Sequence, residues 1–425
     1  MKITDVKTYV TMPIEGLAWM FVEVETDEGV TGLGECTSYM TNPHAYHGID
    51  FIKQLIIGTD PGNIEEIWQR IFHTHSNLSG PGYVSHLISG IDIALWDIKG
   101  KVLGVPIYDL LGGPVRDRVP LYTHVQDQWF DGISVRDMVA AAKKTKAAGY
   151  TAIKTDPFKW QRDPNPAFRG ATMVERLDPK AIAEAVNWMD ALREAVGPEY
   201  ELMVDAHARF DVASAIAGAR ALEHTNLIWF EEPTHVESNE ALRQVRENVS
   251  VPLCIGERHF TRWDYVPVLQ ERLVDYIMPD FCWTGGISEL RRIAALAEPY
   301  YIRISPHDAL GPVSIAAGFQ VCMTTPNLYR QECLHTWFDD FKKIVTPAFN
   351  VKDGCIIPSG RPGLGIELVH EEVERYKVDP SDERAMPYWW RQRQGAQGRW
   401  LKADQKTGAV AGGTARRRGI RGRQK

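Results

Sequence analysis

The stretch Glu201-Leu202-Met203-Val204-Asp205-Ala206-His207 decides the fold. Asp205 closes a short apolar run, and two later runs repeat the arrangement: Leu227-Ile228-Trp229-Phe230-Glu231 and Leu253-Cys254-Ile255-Gly256-Glu257. The three acids stand 26 residues apart. Apolar runs of this length, bounded by turn residues and separated by helical patterns, read as buried parallel strands. One acid at a strand end is ordinarily a helix cap. Three at one spacing, each ending a strand, converge on one rim. Such a set of hard oxygen ligands suits Mg²⁺, which keeps positions open for substrate.

Working outward, the pattern extends to eight runs: Val119–Tyr122, Thr151–Asp156, Glu201–His207, Leu227–Glu232, Val251–Glu257, Val274–Asp280, Tyr301–His307 and Leu328–Cys333. Helical segments lie between most of them, as over Ser134–Ala148, Lys180–Val196, Val212–His224 and Ile287–Ala297. Strands alternating with helices in this way predict an α/β fold, a (β/α)8-type barrel over residues 118–349. Functional residues of such barrels sit at the carboxyl ends of the strands. Here those ends carry Lys154, Asp156, Asp205, His207, Glu231, Glu257, Asp280, His307 and Glu332.

Residues 1–117 read differently, as an α+β capping domain. Three strands are expected before residue 37, joined by a loop over Met12–Leu17 and the turn Asp27-Glu28-Gly29. A second loop is expected over Ser38–Gly48, then helices from Pro61 to about His75 and from Val84 to Leu103. A segment near 350–380 reads as a return to this first domain. The stretch Pro157–Leu177, with Trp160, Arg162, Asp163 and Arg169, is long enough for a lid or specificity loop. Residues 387–425 hold 11 Lys or Arg against the single acid Asp404 and read as a mobile tail or an arm on a neighbouring subunit.

The chain has 425 residues, 44% hydrophobic and 24% charged, an ordinary balance for a globular protein with a large core. Net charge is −7, and the tail contributes +10 of it, so the body is acidic and unsuited to nucleic acid. No apolar run is long enough to span a membrane. Met1-Lys2-Ile3-Thr4-Asp5-Val6 passes directly into strand alternation, so no signal peptide is expected. Six cysteines without a CxxC pair read as reduced thiols in a cytoplasmic protein.

These residues together resemble the enolase superfamily in its mandelate racemase-like branch. The resemblance rests on Asp205, Phe230-Glu231-Glu232-Pro233, Gly256-Glu257, Met278-Pro279-Asp280 followed by Gly285-Gly286-Ile287, Ser305-Pro306-His307, and Glu332, and covers about residues 1 to 370. It implies Mg²⁺ on Asp205, Glu231 and Glu257. Neighbours on a strand face opposite sides, so only one of Glu231 and Glu232 reaches the metal; the family motif selects Glu231. It also implies a glutamate, Glu332, that shares a proton with the substrate carboxylate.

His307, paired with Asp280, is the candidate general base. His207 lies two residues after Asp205 and is expected on the same side of the strand, as a general acid for a leaving hydroxyl. Asp-x-His here resembles the galactonate and mannonate dehydratases. Racemases of the branch carry Lys-x-Lys on the second strand, whereas this chain has Lys154-Thr155-Asp156; Lys154 and Asp156 are expected to bind substrate hydroxyls or carboxylate. The expected activity is Mg²⁺-dependent dehydration of a sugar acid to a 2-keto-3-deoxy acid by a homo-oligomer. Two other readings remain open: an epimerase or lactone cycloisomerase, and a sugar-acid-binding or regulatory protein with little activity.

Overall fold

The computed structural model describes residues 1–39, 42–79, 82–125, 134–158, 176–382 and 385. The expected 157–177 loop and the basic tail lie almost entirely outside these residues. The chain opens with an antiparallel sheet of β1 (Ile3–Ile14), β2 (Leu17–Thr26) and β3 (Thr31–Glu35). β2 is buried on both faces, and its alternation divides it between two cores. Trp19 and Phe21 join the core of the large domain, while Met20, Val22 and Val24 face helices of the first.

Those helices are α1 (Asn42–Ile56), α2 (Ile64–Ser79) and α3 (Gly82–Leu103), followed by the single turn α4 (Ile107–Leu110). α3 lies directly on β3. A Cβ on Gly34 would stand 1.9 Å from the Gly90 carbonyl oxygen, so only glycine permits this approach. α1 corrects the sequence reading, which had a loop through Gly48. Pro43 sits in the first helical turn, where its missing N–H costs nothing. Ala45, Ile49, Ile52 and Ile56 form the buried stripe.

Eight parallel strands follow: β4 (Val119–His124), β5 (Ala152–Thr155), β6 (Glu201–Asp205), β7 (Trp229–Glu231), β8 (Leu253–Ile255), β9 (Tyr276–Ile277), β10 (Arg303–Ile304) and β11 (Gln331–Cys333). Consecutive strands pair from β4 to β10, β11 pairs with β4, and a bridge from Ile304 to Leu328 closes the ring. Helices α5 (Val135–Ala147), α6 (Pro179–Val196), α7 (Val212–Leu222), α8 (Asn239–Asn248), α9 (Thr261–Gln270), α10 (Gly286–Ala297) and α11 (Pro312–Thr324) alternate with them. This is the α/β barrel with an amino-terminal cap.

Several strands stop short of the apolar runs. Gly256 has φ of +145°. Pro279 and Pro306 lack the N–H a ladder needs. Glu257 therefore sits in the first turn beyond β8, while Asp280 and His307, past the prolines that follow β9 and β10, pair with each other through a single parallel bridge.

After α12 (Phe338–Ile344), the short strands β12 (Val345–Thr346), β13 (Val351–Lys352), β14 (Cys355–Ile356) and β15 (Glu367–Leu368) precede α13 (His370–Arg375). β14 pairs with β4 of the barrel, not with the first domain. Contacts with that domain lie on either side of β14: Phe341 of α12 packs on Trp19, the Leu364 N–H donates to Asp97 Oδ1 at 2.8 Å, and the Val378 N–H donates to the Val10 carbonyl at 3.1 Å.

Candidate active site

Asp205 ends β6, Glu231 ends β7 and Glu257 follows β8, so parallel register brings the three carboxylates together. All are buried, and one oxygen from each lies within 4.8 Å of the others. This all-oxygen donor set fits a hard divalent cation such as Mg²⁺. Glu232 leaves the cluster: its backbone is left-handed at φ +42°, its Oε1 accepts from the Gly256 N–H at 2.7 Å, and its Oε2 is 3.4 Å from Arg258. Burial raises its pKa to about 7.

Lys154, from β5, lies beneath the acids rather than at their rim. Its fully buried Nζ is 2.7 Å from Glu231 Oε1, 2.8 Å from Glu332 Oε1 and 3.7 Å from Asp205 Oδ2. Burial alone would lower its pKa, but Glu231, Glu332 and Asp205 more than reverse this and hold it well above the usual lysine range. Burial acts on Glu332 in the upward sense, and Lys154, His307 and His124 outweigh it, so Glu332 stays well below the usual carboxylate range. Glu332 is thus held as a carboxylate. It shares a hydrogen bond with His124 Nε2 at 2.5 Å, and its Oε2 accepts from the Asp308 N–H at 2.9 Å.

Two histidine–aspartate pairs flank the acids. His307 Nδ1 is 2.6 Å from Asp280 Oδ2 and its Nε2 is 3.1 Å from Glu257 Oε2. Burial opposes its protonation, yet Glu332, Glu257 and Asp280 raise its pKa to about 10. On the other side His207 Nδ1 is 3.1 Å from Asp156 Oδ2 and its Nε2 is 3.1 Å from Asp205 Oδ2. The expected reason for its placement was strand alternation, but β6 ends at Asp205. His207 and Ala208 are left-handed, at φ +52° and +54°, and this turn brings the ring back over the acid. Non-glycine residues in such conformations concentrate at functional sites. Asp156, expected on substrate, engages His207 with one oxygen and Arg209 Nη2 with the other, at 2.8 Å.

The sequence reading passed over four residues. His124 lay two positions beyond the run assigned to the first barrel strand. Arg258, which ion-pairs with Glu257, directly follows it. Arg209 follows His207 by two. Trp229 precedes Glu231 by two, on the same face, and was read only as core.

The barrel, its cap and the three-acid cluster define the class, and sequence comparison agrees. Residues 137–373 match the enolase C-terminal domain-like family, and residues 8–112 match the mandelate racemase / muconate lactonizing enzyme amino-terminal domain. The chain belongs to the mandelate racemase / muconate lactonizing enzyme family of the enolase superfamily. A D-galactonate dehydratase family member from Streptomyces bingchenggensis is 34% identical over 395 residues, covering 89% of this chain and 94% of its own. D-galactonate dehydratase from Ralstonia pickettii is 34% identical over 408 residues, 94% of this chain and 100% of its own. Among solved structures, an enolase superfamily member from Salmonella Typhimurium superimposes with a TM-score of 0.81 at 30% identity, covering 89% of this chain and 98% of that one. A mandelate racemase/muconate lactonizing enzyme-like protein from Rubrobacter xylanophilus gives 0.80 at 32% identity, with 90% and 99% covered.

Proposed function

We propose that this enzyme takes the C2 proton of a sugar acid onto His307 and gives a proton from His207 to the departing C3 hydroxyl, leaving an enol that becomes a 2-keto-3-deoxy acid. The enzyme is a dehydratase, a hydro-lyase, of the enolase superfamily. The observation that carries the reading is the opposition of the two histidine pairs. Asp156 and His207 follow the second and third barrel strands, Asp280 and His307 the sixth and seventh, on opposite sides of an eight-stranded ring.

Asp205, Glu231 and Glu257 would hold Mg²⁺, whose charge offsets that developing on the substrate carboxylate when the weakly acidic C2 proton leaves. The surrounding charge supports this, because the buried acids of the site outnumber Lys154, Arg209 and Arg258. Asp280 orients His307 so that Nε2 faces the acids and the substrate space, and a cation held by Asp205, Glu231 and Glu257 would offset the negative charge that keeps the ring protonated, freeing Nε2 to accept the C2 proton. Asp156 accepts from His207 Nδ1–H and so orients the Nε2–H that would be delivered to the leaving hydroxyl. Lys154, locked between Glu231 and Glu332, keeps its proton, which disfavours a second base and hence racemisation. His124 and Lys154 hold Glu332 as a carboxylate in the free protein; a proton taken up by the Glu332–His124 pair as the substrate carboxylate arrives would be the hydrogen-bond donor to it.

The Ralstonia pickettii relative bears the name D-galactonate dehydratase, so D-galactonate is the first substrate to test. Incubation of the Mg²⁺-loaded enzyme with a sugar-acid library, scored for 2-keto-3-deoxy products, decides the reading; no such product from any acid would overturn it. No helix among the described residues is long and apolar enough to cross a membrane. Six unpaired cysteines fit a reducing compartment, for which the cytoplasm is our proposal.

A further inference from the structure

Beneath the acids the barrel interior is filled by Tyr122, Ala152, Met203, Trp229, Cys254 and Met278, a small core separate from the other two. Trp229 is the largest of these and is fully buried. Its ring is wedged between three tyrosines, with centroids 5.5 Å from Tyr122, 5.2 Å from Tyr276 and 5.6 Å from Tyr329. Residues two apart on a strand share a face, so the indole lies directly below Glu231. Its Nε1–H donates to Glu231 Oε2 at 2.8 Å, while Lys154 occupies Oε1 at 2.7 Å.

We infer that Trp229 is a positioning residue for metal binding: its indole N–H fixes the carboxylate plane of Glu231, and the tyrosine floor fixes the indole. The inference rests on the assignment of Glu231 as a metal ligand. A buried carboxylate held by one contact rotates about its Cγ–Cδ bond; one held at both oxygens by a rigid ring and a locked ammonium does not. A cation then meets a ligand already in place, and the ordering cost is absent at binding. Partners of ligating carboxylates typically set metal affinity by about 10- to 100-fold. A buried indole needs an acceptor for its own sake, so a purely structural role is the competing account, and the two differ in what they move.

The test is Mg²⁺ titration of metal-free protein by calorimetry, for the parent, Trp229→Phe and Glu231→Gln, with thermal unfolding of each metal-free form. The expected result is a Mg²⁺ Kd weakened about 10- to 100-fold in Trp229→Phe, with kcat at saturating Mg²⁺ changed much less. Incorporating 3-benzothienylalanine at 229, which replaces only the N–H by sulfur, is expected to give the same loss and decides the matter if the Phe variant does not fold. An unmoved Kd in both 229 variants, beside a lost Mg²⁺ site in Glu231→Gln, overturns the inference alone. An unmoved Kd in Glu231→Gln overturns the metal assignment beneath it.

Discussion

His207 and His307 each present one ring nitrogen to an aspartate and the other to the acid cluster, yet they are assigned opposite halves of the reaction. Proton removal and hydroxide loss are separable. His307→Asn is expected to abolish both dehydration and exchange of the C2 hydrogen with solvent deuterium. His207→Asn is expected to slow dehydration by roughly a hundred- to ten-thousand-fold, the usual worth of general acid help, while still permitting exchange. Mass spectrometry of substrate recovered from deuterated water reads this; exchange lost only in the His207 variant means that the roles are reversed. The neighbouring glutamates give a second comparison. Chelation is expected to stop turnover and added Mg²⁺ to restore it, and Glu231→Gln is expected to lose far more activity than Glu232→Gln, whose side chain serves the Gly256 N–H. Equal losses would mean that Glu232 also bears on the metal. The acids were legible in the sequence because strand ends and even spacing project onto one rim. The partnership of Asp156 with His207 was not, because it depends on two consecutive left-handed residues that alternation does not forecast.

At the scale of elements, the Gly285-Gly286 pair shows how a motif serves packing. Gly286 opens α10 at φ +78°, and a Cβ there would meet Asp92 Oδ2 at 2.5 Å. Asp92, from α3, is buried and accepts from the Ser288 N–H at 2.9 Å. Burial raises its pKa from 3.8 to about 7. A raised folded-state pKa means that the fold favours the neutral acid. That contribution is complete below the unfolded value and is lost as pH rises through about 7. Asp92→Asn, always neutral, is therefore expected to gain stability relative to the parent between pH 5 and pH 8, measured by urea unfolding. A stability difference identical at the two pH values would contradict it. Helices with long periodic stripes, such as α3 and α6, were readable from sequence. α1 was not, because Pro43, Gly48 and a run of aromatic and histidine residues resemble a loop. Gly48 is instead a contact glycine, where a Cβ would press on Leu87 Cδ1 at 2.7 Å.

Across the whole molecule the cap grips the barrel beside the chemistry. Trp283, in the turn after Asp280, donates its Nε1–H to the Thr37 carbonyl at 2.8 Å, stacks on His86 of α3, and leans on the His307 ring at a centroid distance of 5.3 Å. Glu35, at the end of β3, reaches the start of α11, the helix after His307. It accepts from the N–H groups of Gly311 at 2.7 Å, Val313 at 3.1 Å and Ser314 at 2.9 Å, and from the Thr37 hydroxyl at 2.7 Å. The three contacts from Glu35 to the start of α11 join residues 276 to 279 positions apart, so no local pattern could have announced them, although both partner elements were individually legible. Burial raises the Glu35 pKa to about 7, and the four donors and the helix amino terminus act against that rise by favouring a carboxylate that accepts with both oxygens. Glu35→Gln keeps the shape but turns an N–H₂ toward backbone N–H groups. Each buried donor left unpaired costs about 1–3 kcal/mol, so the thermal midpoint is expected to fall by several degrees. Turnover is expected to fall as well, because α11 and the His307 turn lose their common anchor, although Glu35 touches neither histidine. Differential scanning calorimetry and kcat measured well below the transition check both. A variant that melts with the parent and turns over at its rate would show that the aromatic contacts around Trp283 hold the cap without this carboxylate.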